Sequence, residues 1–117
     1  MSTYIVMIYG NEDVWESWSE EQGRANAAAH GAFHAAHGAA VVGGHELERS
    51  WRGRSVRTDP AGRRHVTDGA FLPGATVLGG YYVIEADDLD HAVRIAGDLP
   101  EASAPSSGVE VRPLAAP

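Results

Sequence analysis

Apolar residues in this chain gather in short runs separated by glycine, proline and charged clusters, and their period changes from run to run. Tyr4 to Tyr9 is apolar at every position and stops at Gly10 and Asn11, which predicts a buried central strand. Asn11 to Ser19 reads as a polar loop carrying Trp15 and Trp18. Ser19, followed three residues later by Gln22, has the capping-box pattern: the hydroxyl accepts from a free amide of the first turn and the glutamine reaches back to the cap. The alanine-rich stretch from Arg24 to His37 continues that helix, since alanine is the best helix former and is small enough to let a helix lie close to a sheet. Gly38 ends it.

Ala39 to Gly44 is a short apolar strand. Ser55 to Thr58 and Arg64 to Thr67 flank Asp59-Pro60-Ala61-Gly62, where proline second and glycine fourth favour a type I turn, so this segment predicts an exposed β-hairpin. A glycine- and proline-bearing loop follows, and Leu78 to Glu85 is a second strong strand. Asp87, Asp88 and Asp90 suit the positive start of a helix that runs to about Gly97, with Leu89, Ala92, Val93 and Ala96 at helical spacing. Pro100 to Ser107 reads as a loop, and Val109 to Arg112 alternates as a last strand stopped by Pro113.

Strands before, between and after two helices predict a ferredoxin-like α+β fold, an antiparallel sheet with both helices on one face and an inserted hairpin. The other face needs cover, and in a chain of 117 residues a second copy of the sheet is the expected cover, which makes a homodimer. No repeat or linker divides residues 1–117, so one domain is expected.

Composition removes chemistry. Cysteine and lysine are both absent, and all nine basic residues are arginine. A thiolate nucleophile, a disulfide, a lysine Schiff base and a P-loop lysine are therefore excluded. The net charge of −7 argues against a nucleic-acid partner. No apolar run is long enough to span a bilayer, and the N-terminus lacks a basic n-region and cleavage site. These readings lead to the expectation of a cytoplasmic protein with no membrane partner.

Val66 to Phe71, with Asp68-Gly69-Ala70-Phe71 at its end, and Leu78 to Ile84, with Gly79-Gly80-Tyr81-Tyr82, resemble the YCII-related family. So, in order, do Tyr4 to Gly10, Val42 to Leu47, Ser55 to Arg57, Asp87 to Ala92 and Val109 to Pro113. The resemblance covers nearly the whole chain and implies a DGPF-type loop and a dimeric α/β-barrel, ferredoxin-like fold. In function it implies small-molecule enzymes with a histidine on the first helix and an aspartate as an acid–base dyad, one branch acting on chlorinated aromatic substrates. The chain departs from the family pattern at Ala70, where proline is usual, and from Leu72 to Thr76, where a charged stretch is usual.

His30, His34 and His37 fall along one helical stripe on either side of Phe33. With Phe33 against the sheet, imidazoles reach the cleft between helix and sheet, and imidazole titrates where proton transfer at neutral pH needs it. The resemblance favours His30 as the base, and Asp68 is the carboxylate expected to orient it. Asp68 reads equally as a turn residue before Gly69. His34, His37, Tyr9, Phe71 and Tyr81 are candidate substrate-binding groups, and so is Arg57, one of six arginines between Arg49 and Arg64. Tyr81 and Tyr82 must face opposite sides of the sheet. Trp15 and Trp18 are expected to form a patch at the dimer edge.

The expected activity is acid–base chemistry by His30 and Asp68 on a small organic molecule, anionic or aromatic, of isomerase, lyase, cyclase or hydrolase type, without a cofactor. Two alternatives stand beside it: a non-catalytic small-molecule or partner-binding domain, and a transition-metal protein ligated by His30, His34 and His37. Against the last, ligands seven residues apart on one straight helix sit about 10 Å apart along its axis.

Overall fold

The computed structural model describes residues 1–116, and Pro117 lies outside them. The chain runs β1 (Ser2–Asn11), α1 (Glu12–Glu16), α2 (Glu20–His37), β2 (Val41–Glu46), β3 (Arg54–Thr58), β4 (Arg64–Asp68), β5 (Thr76–Ala86), α3 (Leu89–Ala96) and β6 (Gly108–Pro113). Four strands form one sheet in the order β2-β5-β1-β6, antiparallel at each step. β3 and β4 pair only with each other. Mixed helix and antiparallel sheet in this order fit the expected α+β, ferredoxin-like arrangement.

Alternation along β1 decides which face is the core. Tyr4, Val6 and Ile8 are buried and meet Ile84 and Ala86 of β5, Phe33 of α2, and Ala92, Ile95 and Ala96 of α3. Ile5, Met7 and Tyr9 point the other way, level with Tyr81 and Val83 of β5, and are only partly buried. β1 is a central strand, as its pattern predicts, and within one chain the helices cover one of its faces only.

The capping box forms as expected. Gln22 donates its amide to Ser19 Oγ at 3.1 Å, and Ser19 donates its own to Gln22 Oε1 at 2.8 Å. Ser19→Ala is expected to destabilise the protein by about 1 kcal/mol. Urea unfolding checks this, with a lowered midpoint and an unchanged slope as the expected result.

Three segments differ from the sequence reading. The supposed loop after β1 contains α1, whose first turn carries Glu12 and Asp13 and whose Asn11 side chain accepts from the Asp13 amide at 2.9 Å. Five residues are too few to show a period. Pro113 stays within β6, opposite Tyr4, because an edge strand can spare a donor. The supposed loop after α3 contains a 3₁₀ turn, Pro100–Ala102, anchored by buried Leu99. Among the described residues no helix is long and apolar enough to cross a membrane.

Candidate functional site

α2 rests on the sheet through Phe33, which is 2 % exposed and packs its ring 5.2 Å from that of Tyr82. Small residues on the same helix face, Gly23, Ala27 and Gly31, leave a cavity of about 860 Å³ between helix and sheet. Its sheet side is made by Gly43 and Gly44 of β2 and Gly79 and Gly80 of β5. Register shifts mark Val42 on β2 and Gly79 on β5 as bulges.

Gly79 has a second reason to be glycine. The Trp15 indole lies across Gly10 and Gly79, so a Cβ at either would fall 2.3–2.4 Å from ring carbons. Trp15 is thereby held as a wall of the cavity, with Trp18 beside it. The two tryptophans thus share one surface of the cavity. Four further contacts fix the wall. Glu12 accepts the amide and hydroxyl of Ser50 at 2.6 and 2.5 Å, and Arg49 donates to Glu16 at 2.6 Å while its guanidinium stands 5.1 Å over the Trp15 ring. Arg49 lines the cavity.

His30 sits where the stripe argument puts it, and both ring nitrogens are engaged. Nε2 lies 2.9 Å from Glu101 Oε2, and Nδ1 lies 2.8 Å from the Tyr82 hydroxyl. Asn26 donates to the same Glu101 oxygen at 2.9 Å. Burial alone would push the Glu101 carboxyl up, but the His30 and Asn26 hydrogen bonds outweigh it and hold the group below its ordinary value. An ionised carboxylate only accepts, so Nε2 carries the proton; in the neutral ring Nδ1 then accepts from Tyr82, which donates. Glu101 is 6 % exposed, and among the described residues its Oε1 has no donor. Burial, and then the negative charges of Glu101 and Glu46, raise the Tyr82 phenol above its ordinary value. Glu101, His30 and Tyr82 thus form a chain of hydrogen bonds at the cavity wall, along which a proton can pass between phenol and imidazole while the carboxylate holds the imidazolium.

The structure does not bring Asp68 to His30. Asp68 closes the hairpin 3.5 Å from Arg54, with its side chain in solvent, because β3 and β4 pair with each other and not with the main sheet. Glu101 stands in its place. His34 lines the cavity, its ring edge-on to Tyr82 at 5.3 Å. His37 instead bonds Asp98 at 2.7 Å, tying the end of α2 to the end of α3. The three histidines therefore do not converge, and among the described residues no group of three or more His, Cys, Asp or Glu is placed to hold a metal ion. Tyr9 faces the open side of the sheet, its hydroxyl 3.8 Å from Met7 sulfur. Tyr81 borders the cavity, but its ring lies on the open side near His45. Arg57 and Phe71 contact each other at the hairpin base, 5.8 Å apart, away from the cavity. Of the arginine cluster, Arg49 and not Arg57 reaches the site, because Arg57 lies on the hairpin.

Glu101 and Asn26 carried no sequence signal of their own, and Arg49 carried one only as a member of the arginine cluster. The one available hint for Glu101 was its position after Leu99 and Pro100, an apolar anchor and a rigid turn start.

The model of YCII-related domains matches residues 2–115. The chain is 32 % identical over 122 residues to the uncharacterized protein R00369 of Rhizobium meliloti (strain 1021), with 96 % of this chain and 91 % of that protein covered.

Proposed function

The chain belongs to the YCII-related family, and on that footing we propose that it is a small-molecule enzyme whose acid–base group is the Glu101–His30–Tyr82 chain. The observation that carries the reading is the buried ionised carboxylate on one nitrogen of His30 and the cavity-lining phenol on the other. Tyr82 exchanges a proton with the substrate, His30 takes or returns it, and Glu101 stabilises the charged ring. Side chains alone carry the step, which suits isomerisation, elimination, cyclisation or hydrolysis. The Trp15 wall favours a flat organic molecule and Arg49 an anionic group on it.

Turnover of conjugated hydroxy- and oxo-acids, followed by ultraviolet absorbance, tests this. His30→Gln is expected to abolish turnover while tryptophan quenching by the same compound persists. Full activity in that variant would sink the assignment.

A second reading has one observation in its favour: both ring nitrogens of His30 are satisfied within the protein, as a binding domain without catalysis would need. Saturable quenching with no turnover of any quenching compound would select it.

A further inference from the structure

α2 lines the cavity with two parallel rows of residues. Asn26, His30 and His34 recur at every fourth position and carry the polar groups. Gly23, Ala27 and Gly31 recur at the same step and carry almost no side chain. Alanine, the best helix former, fills seven of the eighteen positions of this helix, yet its two glycines, Gly23 and Gly31, both fall on the cavity. Glycine is, after proline, the costliest residue in a helix interior, because it gives up the most backbone freedom on folding. Packing does not require it at either position. A Cβ on Gly23 or Gly31 meets nothing within 4 Å, whereas one on Gly10 or Gly79 strikes the Trp15 indole. Neither has a positive φ. The helix therefore keeps open, at a cost to its own stability, a space that alanine would narrow.

Glu101 is a second, independent observation that points to a ligand. It lines the same cavity, is 6 % exposed, and meets His30 and Asn26 through Oε2 alone. Among the described residues Oε1 has no donor. A buried carboxylate oxygen left unpaired is costly, so the site favours a molecule that brings an O–H or N–H to it.

We propose that Gly23, Ala27 and Gly31 are the specificity-determining floor of the cavity, on which a planar ring system lies between the backbone of α2 and the Trp15 wall, with an O–H or N–H on its edge donating to Glu101 Oε1. With an anionic group at Arg49, the ligand is a planar aromatic acid that carries a hydroxyl or N–H donor separate from its acid. A floor without side chains admits a flat ring and gives no relief to a puckered one. The inference rests on the reading of this cavity as the substrate site and adds what the substrate presents to it.

Titration calorimetry with 6-hydroxy-2-naphthoate tests this, beside 6-methoxy-2-naphthoate, which lacks the donor, and 6-hydroxydecahydro-2-naphthoate, which is puckered. The parent chain is expected to bind the first about tenfold or more tighter than either of the others. Gly31→Ala and Gly31→Leu are expected to raise the urea midpoint, since both are better helix formers, and to weaken binding of 6-hydroxy-2-naphthoate in that order, by about tenfold or more for leucine. Stability and binding thus move in opposite directions, which a merely structural glycine would not give. Equal affinity for the three acids would overturn the proposal, as would Gly31→Leu binding as tightly as the parent or a lowered midpoint in Gly31→Ala. A parent chain that binds none of the three overturns it too, while turnover of another compound by that chain would leave the Glu101–His30–Tyr82 reading standing. Tight binding that depends on Gly31, without turnover of any compound, would sustain the floor and sink the relay.

Discussion

Tyr82→Phe is expected to lower turnover by about 10²–10⁴-fold, the usual range for losing a positioned acid or base. The fold should survive, since the Tyr82 ring packs against Phe33 and His34 and phenylalanine keeps that ring. What is lost is the hydroxyl that joins His30 to the cavity. A phenol raised above its ordinary value is almost wholly protonated at neutral pH, so it gives up its proton only as the substrate's charge develops and His30 Nδ1 receives it. Glu101 is what makes that transfer affordable. Glu101→Gln is accordingly expected to slow turnover while leaving the Michaelis constant nearly unchanged, the mark of an interaction made in the transition state. Steady-state kinetics of the two variants on one substrate check both statements. A Tyr82→Phe protein with full activity would remove the phenol from the mechanism and leave His30 to act on the substrate directly.

The sequence made the frame of this site readable and concealed its carboxylate. Long periodic elements announced themselves: the run from Tyr4 to Tyr9, the capped alanine-rich helix and the run ending at Ile84 all form where their patterns place them. Because those elements were right, Phe33 lies against the sheet and His30 beside it, as helical spacing requires. Glu101 is different in kind. It lies 71 residues from His30 in sequence, within a segment whose Pro, Ser and Ala content reads as a loop. Burying Leu99 sets the 3₁₀ turn, and the turn swings Glu101 onto α2, a tertiary effect that no local pattern records. Asp68 attracted the carboxylate role because it stands in the loop motif of the resemblance, yet its strand is paired within the hairpin and its side chain is in water. Trp15 was hidden for a related reason: only the register of Gly10 against β5 shows that its indole needs two glycines beneath it.

Glu101→Ala is expected to destabilise the protein by about 1–3 kcal/mol, because it leaves the His30 Nε2–H and the Asn26 amide without their acceptor in a largely buried place. Glu101→Gln keeps an acceptor oxygen and should lose less. The two variants also separate geometry from charge through pH. The folded-state Glu101 carboxyl titrates below its ordinary value of 4.5, and the unfolded chain returns it there. Its contribution is therefore fully present above about pH 4.5 and fades as pH falls through the lower folded value, where the folded carboxylate must also protonate. The stability gap between the parent chain and Glu101→Gln should thus be constant from neutral pH down to about 4.5 and narrow below it. Urea unfolding at a series of pH values measures that gap. One that stays constant to pH 3 would mean that the carboxylate is not held by its hydrogen bonds, and the relay would lose the charge that holds the imidazolium.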